Sequence, residues 1–321
     1  MSDHAGRVSG PYMITPDDLT ALNTLFSDAF SERYRRDGMA GVRVPPLNPA
    51  IWRFAIEGAG AGAMLWRDSA GRIAAFNLAH VSGTEGWMGP LAVRDEVQGR
   101  GVGRTIVRAG IDHLKAAGCR IIGLETMPRT MDNIGFYAGL GFAPGALTIT
   151  LTLEPSSATD VRPTLLSELG QRARASMIAE CASLADHVRA GADYSREITL
   201  SLRHGLGDVL VMRAADGALE GFALYHDVPL VEGRSREEMR VLKLVLADPA
   251  SLPRMADLLA AHARRCGTQR AALRLQGEYR AALRTLVARG ARVRWTDLRM
   301  TLSGYDEPAP SRGLALSNWE I

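Results

Sequence analysis

Cysteine is scarce and scattered in this sequence of 321 residues: Cys119, Cys181 and Cys266 are an odd three with no Cys-x-x-Cys spacing among them. A disulfide framework and a cysteine-based metal site are therefore excluded. Long hydrophobic runs are missing as well. None approaches the roughly 18 apolar residues of a membrane span, and the polar N-terminus lacks the charged and apolar regions of a secretory leader. The expectation is a cytoplasmic protein with no membrane partner. Charge of one sign is also in short supply. A formal net charge of +3 makes no electrostatic case for nucleic acid, and Arg289, Arg292 and Arg294 read as a solvated surface rather than a phosphate-binding stripe. What the chain does have is length, enough for two domains of about 150 residues, each able to bury a core.

The most informative segment is Leu91-Ala92-Val93-Arg94-Asp95-Glu96-Val97-Gln98-Gly99-Arg100-Gly101-Val102-Gly103-Arg104. It predicts a strand, a glycine-bearing turn and a helix in succession. Gly101 and Gly103 carry no β-carbons to hold a ligand away from the backbone, and the helix that follows points unpaired amide hydrogens and its positive dipole end at the turn. Such a junction can grip a diphosphate. It lacks the Lys-Ser or Lys-Thr of a P-loop, and it does not open the chain as a dinucleotide-binding unit does. Downstream, Ile106, Val107, Gly110, Ile111 and Leu114 form one buried stripe of a helix from Thr105 to Ala117. Gly118 ends that helix, a strand runs from Arg120 to Met127, and a second helix ends in Gly135-Phe136-Tyr137-Ala138-Gly139-Leu140-Gly141-Phe142.

Gln98-x-x-Gly101-x-Gly103 resembles the coenzyme A pyrophosphate signature of GCN5-related N-acetyltransferases, the GNAT superfamily, and the Phe136-Tyr137 to Gly141-Phe142 segment is similar to a second motif of that superfamily. The resemblance implies an α/β (α+β) fold with a mixed, mostly antiparallel twisted sheet flanked by helices, and acetyl-CoA as co-substrate with no metal. It implies a coenzyme site made by the strand Leu91, Ala92 and Val93, the turn Gln98, Gly99, Arg100, Gly101, Val102, Gly103 and Arg104, and Phe136 and Tyr137. Thr130 completes that set at a position where the superfamily usually has an asparagine on the pantetheine arm. A hydroxyl cannot copy a carboxamide, and Asn133 follows three residues later.

The chain also resembles itself. A shift of 149 residues brings Gly118 onto Gly267, Leu124 onto Leu273 and Gly141 onto Gly290, and a shift of 146 brings Gly71 onto Gly217, Phe76 onto Phe222 and His80 onto His226. The alternating positions Leu147, Ile149, Leu151 and Leu153 fall on Thr296, Leu298, Met300 and Leu302, keeping a period-two face. Two diverged copies of one fold have this appearance: a catalytic copy over 1–154, a degenerate copy over 161–304, and a tail over 305–321 docked through Leu314, Leu316 and Trp319. Glu154 to Asp160 reads as the linker. Under the 149 shift the glycines of the turn meet Ala250 and Leu252, Tyr137 meets Leu286, and Pro249 and Pro253 remove amide donors. The second copy is expected to hold no coenzyme. Walling the acceptor pocket, forming a homodimer or bracing the first copy would each suit it.

Amine acetylation needs a held thioester, a donor to its carbonyl, a base for the acceptor and a proton for the departing thiolate. The resemblance assigns the carbonyl donor to the Val93 amide and the proton to Tyr137. For the base, His80 at the end of a strand and Glu125 on the strand before the tyrosine helix are the candidates. Glu85, a water relay and the terminal carboxylate of Ile321 stand behind them. The expected activity is acetyl-CoA-dependent transfer to a small amine. The alternatives are a longer acyl-CoA donor and a non-catalytic acyl-CoA-binding sensor or scaffold.

Overall fold

The computed structural model describes residues 8–156 and 162–319. Part of the expected linker, the start of the second copy at Val161 and the carboxylate of Ile321 lie outside the described residues.

The first half runs β1 (Ser9–Met13), α1 (Leu19–Arg36), α2 (Pro49–Ala59), β2 (Ala63–Arg67), β3 (Ile73–Ser82), β4 (Glu85–Val93), α3 (Val102–Ala116), β5 (Ile121–Thr126), α4 (Met131–Ala138) and β6 (Phe142–Leu153). The second repeats that order: β7 (Thr164–Leu165), α5 (Gln171–Val188), α6 (Ser195–Arg203), β8 (Gly207–Arg213), β9 (Leu219–His226), β10 (Glu238–Leu246), α7 (Leu252–Cys266), β11 (Arg270–Gln276), α8 (Arg280–Ala288) and β12 (Arg292–Leu302), followed by one extra strand, β13 (Leu314–Ser317). Most strand pairs are antiparallel, the exceptions being β4–β5 and β10–β11. The architecture is α/β, with helices packed on a mixed sheet.

The strands of the described residues join one sheet, ordered β1-β2-β3-β4-β5-β12-β6-β11-β10-β9-β8-β7, with β13 paired to β10 off that path. The halves have exchanged their long last strands: β6 lies between β12 and β11, while β12 lies between β5 and β6. This exchange explains one departure from the alternating pattern. Leu151 and Leu153 are buried, but Leu147 is exposed and its neighbour Thr148 is buried instead. Between β12 and β11, β6 buries both faces at its end, Leu151 to Leu153, and Thr148 rather than Leu147 at its centre, so period-two alternation does not report which side is inside. The core is shared as well, because Ile51 and Phe54 of α2 pack into the cluster around Cys181, Ile198 and Phe222.

Each half opens a wedge between its two parallel strands. In β4 the pairing with β3 slips between Asn77/Leu91 and Ala79/Met88, a bulge at Gly89-Pro90. β4 pairs with β5 only over Glu85 to Met88, and beyond that point the two diverge. β10 has a matching slip at Leu242 and pairs with β11 only from Glu238 to Val241. The second wedge is filled by the chain itself, since β13 lies antiparallel to β10 from Lys243 to Leu246 and accepts a 2.9 Å hydrogen bond from Gln276 of β11 at the Ser317 carbonyl. The net three-residue offset of the repeat is the sum of several opposing length changes, two of them large. The β9–β10 loop, Asp227 to Glu237, is far longer than the two residues between β3 and β4, and the turn before α7 is shorter than the one before α3.

Gly123 of β5 illustrates how tightly the paired part of β4 and β5, before the wedge opens, is packed. A β-carbon there would collide with the Trp87 ring. Gly123→Ala is expected to cost about 1–3 kcal/mol of stability through overpacking, read from the midpoint of urea unfolding.

Candidate active site

α3 begins at Val102 with Gly101 as its N-cap in the left-handed conformation, φ 81°. Only glycine takes that turn without strain, and it leaves the first-turn amides of α3 facing the mouth of the β4–β5 wedge. Gln98 donates a 2.9 Å hydrogen bond to the Val93 carbonyl and accepts one of 3.1 Å from Arg36 of α1, which also pairs with Asp95 at 2.8 Å. The turn is thus tied to both neighbouring elements.

The backbone of β4 has a direction that follows from its pairing. The Arg94 amide donates to Ala74 across β3 at 2.8 Å, so residues 92 and 94 bond to β3, and residues 91 and 93 turn their amides and carbonyls into the wedge. A cavity of about 720 Å³ fills the wedge and continues onto the α1 face of the sheet. Leu91, Ala92 and Val93 line it, as do Gln98, Gly99, Gly101, Gly103 and Arg104 of the turn, and Phe136 and Tyr137 of α4. Three residues expected at the coenzyme lie elsewhere. Val102 points into the core, Arg100 is exposed away from the cavity wall, and Thr130 is buried, donating a 2.7 Å hydrogen bond to Asp37. Thr130 is the N-cap of α4, and helical geometry carries Asn133, one turn on, to the cavity wall instead. The donor set fits an acyl-CoA: free strand amides for an extended amide-bearing arm, and a glycine turn before a helix N-terminus for a diphosphate.

Tyr137 is buried, which raises its hydroxyl above the usual phenol range and keeps it protonated. Its ring stands edge-on to Phe136 and Phe142.

The base candidates are placed as follows. Burial would raise Glu125, but Arg274 at 2.6 Å and Arg299 at 2.9 Å outweigh it and hold the carboxyl down at about 2, with Thr148 donating to it as well. A carboxylate so stabilised is a weak proton acceptor, although it does line the cavity. His80 is pulled down to about 4 by burial, against the opposing hydrogen bond to the Gly89 carbonyl at 3.0 Å. It braces the bulge from behind and does not line the cavity. Its counterpart His226 is likewise buried and bonds Ser201 at 2.8 Å. Glu85 is buried against Arg189 at 2.9 Å and Tyr194 at 3.2 Å.

Glu125 belongs to a buried chain of alternating charge that the sequence did not reveal. It runs Glu85, Arg189, Glu307, Arg299, Glu125, Arg274, Asp297, with Arg299–Glu307 at 2.6 Å and Arg274–Asp297 at 2.9 Å. Arg274 lies between Leu273 and Leu275, and Arg299 between Leu298 and Met300. Both look like the solvent side of an ordinary strand, and only the strand exchange buries them. The cavity wall likewise receives Leu230, Trp295 and Trp319 from the second half. Among the described residues no group of three or more His, Cys, Asp or Glu side chains could hold a metal ion, and no helix is long and apolar enough to cross a membrane.

Residues 21–142 match the acetyltransferase (GNAT) family model. The whole chain has the GNAT fold. It superposes on a candidate acetyltransferase from Pyrococcus horikoshii with a TM-score of 0.69 at 16% identity, covering 99% of this chain and 96% of that one. A tandem GNAT protein from the clavulanic acid biosynthesis pathway gives 0.62 at 13%, covering 92% and 98%. Saccharomyces cerevisiae N-myristoyltransferase with bound myristoyl-CoA gives 0.65 at 9%, covering 97% and 85%. No curated protein matches the sequence.

Proposed function

We infer that the protein is an acyl-CoA-dependent N-acyltransferase acting on a small amine, with acetyl-CoA the donor and the β4–β5 wedge the active site. The observation that carries this reading is the cavity lined at once by the glycine turn, the outward amides of β4 and Tyr137. Acetyl-CoA would supply an activated acyl group. The turn before α3 would hold its diphosphate, and Leu91 and Val93 its pantetheine arm.

The Val93 amide is placed to donate to the thioester carbonyl as charge builds on that oxygen. The acceptor nitrogen forms the new C–N bond as the C–S bond breaks; the acceptor gives up one proton and the sulfur gains one. Tyr137, held protonated, donates to the sulfur. No side chain is assigned as base. With Glu125 locked in ion pairs and His80 behind the bulge, the acceptor proton leaves through water in the open cavity. The second half would bind no coenzyme, because β13 fills its wedge and Leu252 opens α7 where α3 opens with the glycine turn.

Thiol release from acetyl-CoA with an amine panel tests the reading, with myristoyl-CoA as the comparison donor. Tyr137→Phe is expected to lower kcat by about 10²–10³-fold while acetyl-CoA binding stays within twofold of wild type. Unchanged turnover would remove the tyrosine from the mechanism, and no thiol release with any amine would favour a binding-only role.

A further inference from the structure

Two cavities meet at one side chain. Trp319 lines the main cavity and also a small side pocket of about 40 Å³. The plug of the second wedge puts it there. β13 runs along β10, the Asn318 amide donates to the Leu242 carbonyl at 2.7 Å, and the Trp319 ring stacks on Trp87 with centroids 5.6 Å apart. On its far face the Lys243 ammonium lies 3.2 Å from the ring centroid, a close cation–π contact. Phe54, His80, Ser82, Arg196 and Glu197 also line the pocket, and among the described residues the Oε2 atom of Glu197 is buried without a hydrogen-bond partner.

On the α1 face, where an acceptor would approach the wedge, the main cavity has a cluster of aromatic and apolar side chains. Phe26, Phe30 and Tyr34 of α1 line it with Leu230 and Trp295 from the second half, and the α1 charges that also line it, Glu32, Arg33 and Arg36, are held in ion pairs with one another, Asp37 and Asp95. The carboxylates on its floor, Glu125 and Asp297, are each held by a guanidinium. A second charge on the acceptor, of either sign, would meet no unmatched partner and would lose its hydration. A monoamine reacts as the neutral base and needs none.

Resting on the acyltransferase reading above, we propose that the acceptor is a primary monoamine on an apolar, ring-sized body, and that Trp319 sets how long that body can be. Trp319 is the one side chain that lines both, so removing its ring would join the side pocket to the main cavity.

The experiment is kcat/KM by thiol release with benzylamine, 2-phenylethylamine, 4-phenylbutylamine, spermidine and glycine, for wild type, Trp319→Ala and Trp319→Phe. Wild type is expected to favour the short arylalkylamines over spermidine and glycine by at least about tenfold. Trp319→Ala should move the preference toward 4-phenylbutylamine by about tenfold, chiefly through KM, and Trp319→Phe should restore the wild-type order. Acetyl-CoA affinity, measured by calorimetry, should be the same in all three. A wild-type preference for spermidine or glycine overturns the acceptor class, and an unchanged order in Trp319→Ala overturns the role of the tryptophan. Acetyl-CoA binding without turnover of any amine defeats the acyltransferase reading and this inference with it.

Discussion

Acetyl-CoA is expected to bind wild-type protein once per chain and to bind the Gly103→Leu variant at least 100-fold more weakly. Gly103 lies in the first turn of α3 and faces the cavity, and a β-carbon there would stand 3.3 Å from the Phe136 ring. A leucine continues past that point into the space between the helix N-terminus and α4. It would hold the diphosphate off the backbone amides, and each charge-assisted hydrogen bond lost is worth about 1.5–3 kcal/mol. Two such losses exceed two orders of magnitude in affinity. Leucine is a better helix former than glycine, so the variant should fold, which a thermal melt would check. Calorimetry supplies the measurement. Two binding events in wild type would mean that β13 yields its wedge to a ligand, and none would remove the coenzyme reading altogether.

The second large effect concerns stability. Arg299 is 2% exposed at its side chain and serves Glu125, Glu307 and the Ser317 hydroxyl while lying over the Trp87 ring. Arg299→Met keeps much of the shape and removes the charge. Two buried carboxylates would then be under-compensated, and the expected cost is about 3–5 kcal/mol, read from urea unfolding with calorimetric confirmation that the transition stays cooperative. A loss below about 1 kcal/mol would mean that the network is more hydrated than its burial indicates.

The pH dependence follows from the same residues. Burial would raise Glu125 and Glu307, but their arginines outweigh it and hold both below the usual carboxylate range, Glu125 at about 2. Groups lowered in the folded state stabilise it above their unfolded values, near 4.3, and that contribution is lost as pH falls toward 2. Wild type should therefore weaken progressively over that window, and Arg299→Met should begin to unfold at higher pH. Acid titration followed by far-UV circular dichroism would show the shift.

The glycine-turn end of the cavity was legible in the sequence because it is local. The strand, the turn and the first turn of α3 are contiguous, and glycine has conformational properties no other residue shares, so spacing alone predicts a diphosphate grip. The repeat was legible for a similar reason, since glycines and strand periodicity survive divergence. The opposite wall of the cavity was not legible. Leu230, Trp295 and Trp319 reach the cavity from the second half, and nothing near them in sequence marks them as cavity wall. Thr130 and Asn133 show the limit on a smaller scale. The motif spacing selects the first, while the phase of α4 turns the second toward the cavity.

The sequence by itself determined the α/β architecture, the repeated order of its elements and the place of the glycine turn, because periodicity, turn residues and backbone freedom are properties of short stretches of chain. Tertiary structure decided the rest. It exchanged β6 for β12, buried Arg274 and Arg299 beside Glu125 and so took that carboxylate out of the useful proton-accepting range, and drew β13 into the second wedge with Trp319 at its end. The physical reason is that a strand edge accepts any backbone of compatible register. Which strand fills it, and which side chains are then desolvated, depends on what else the folded chain brings alongside.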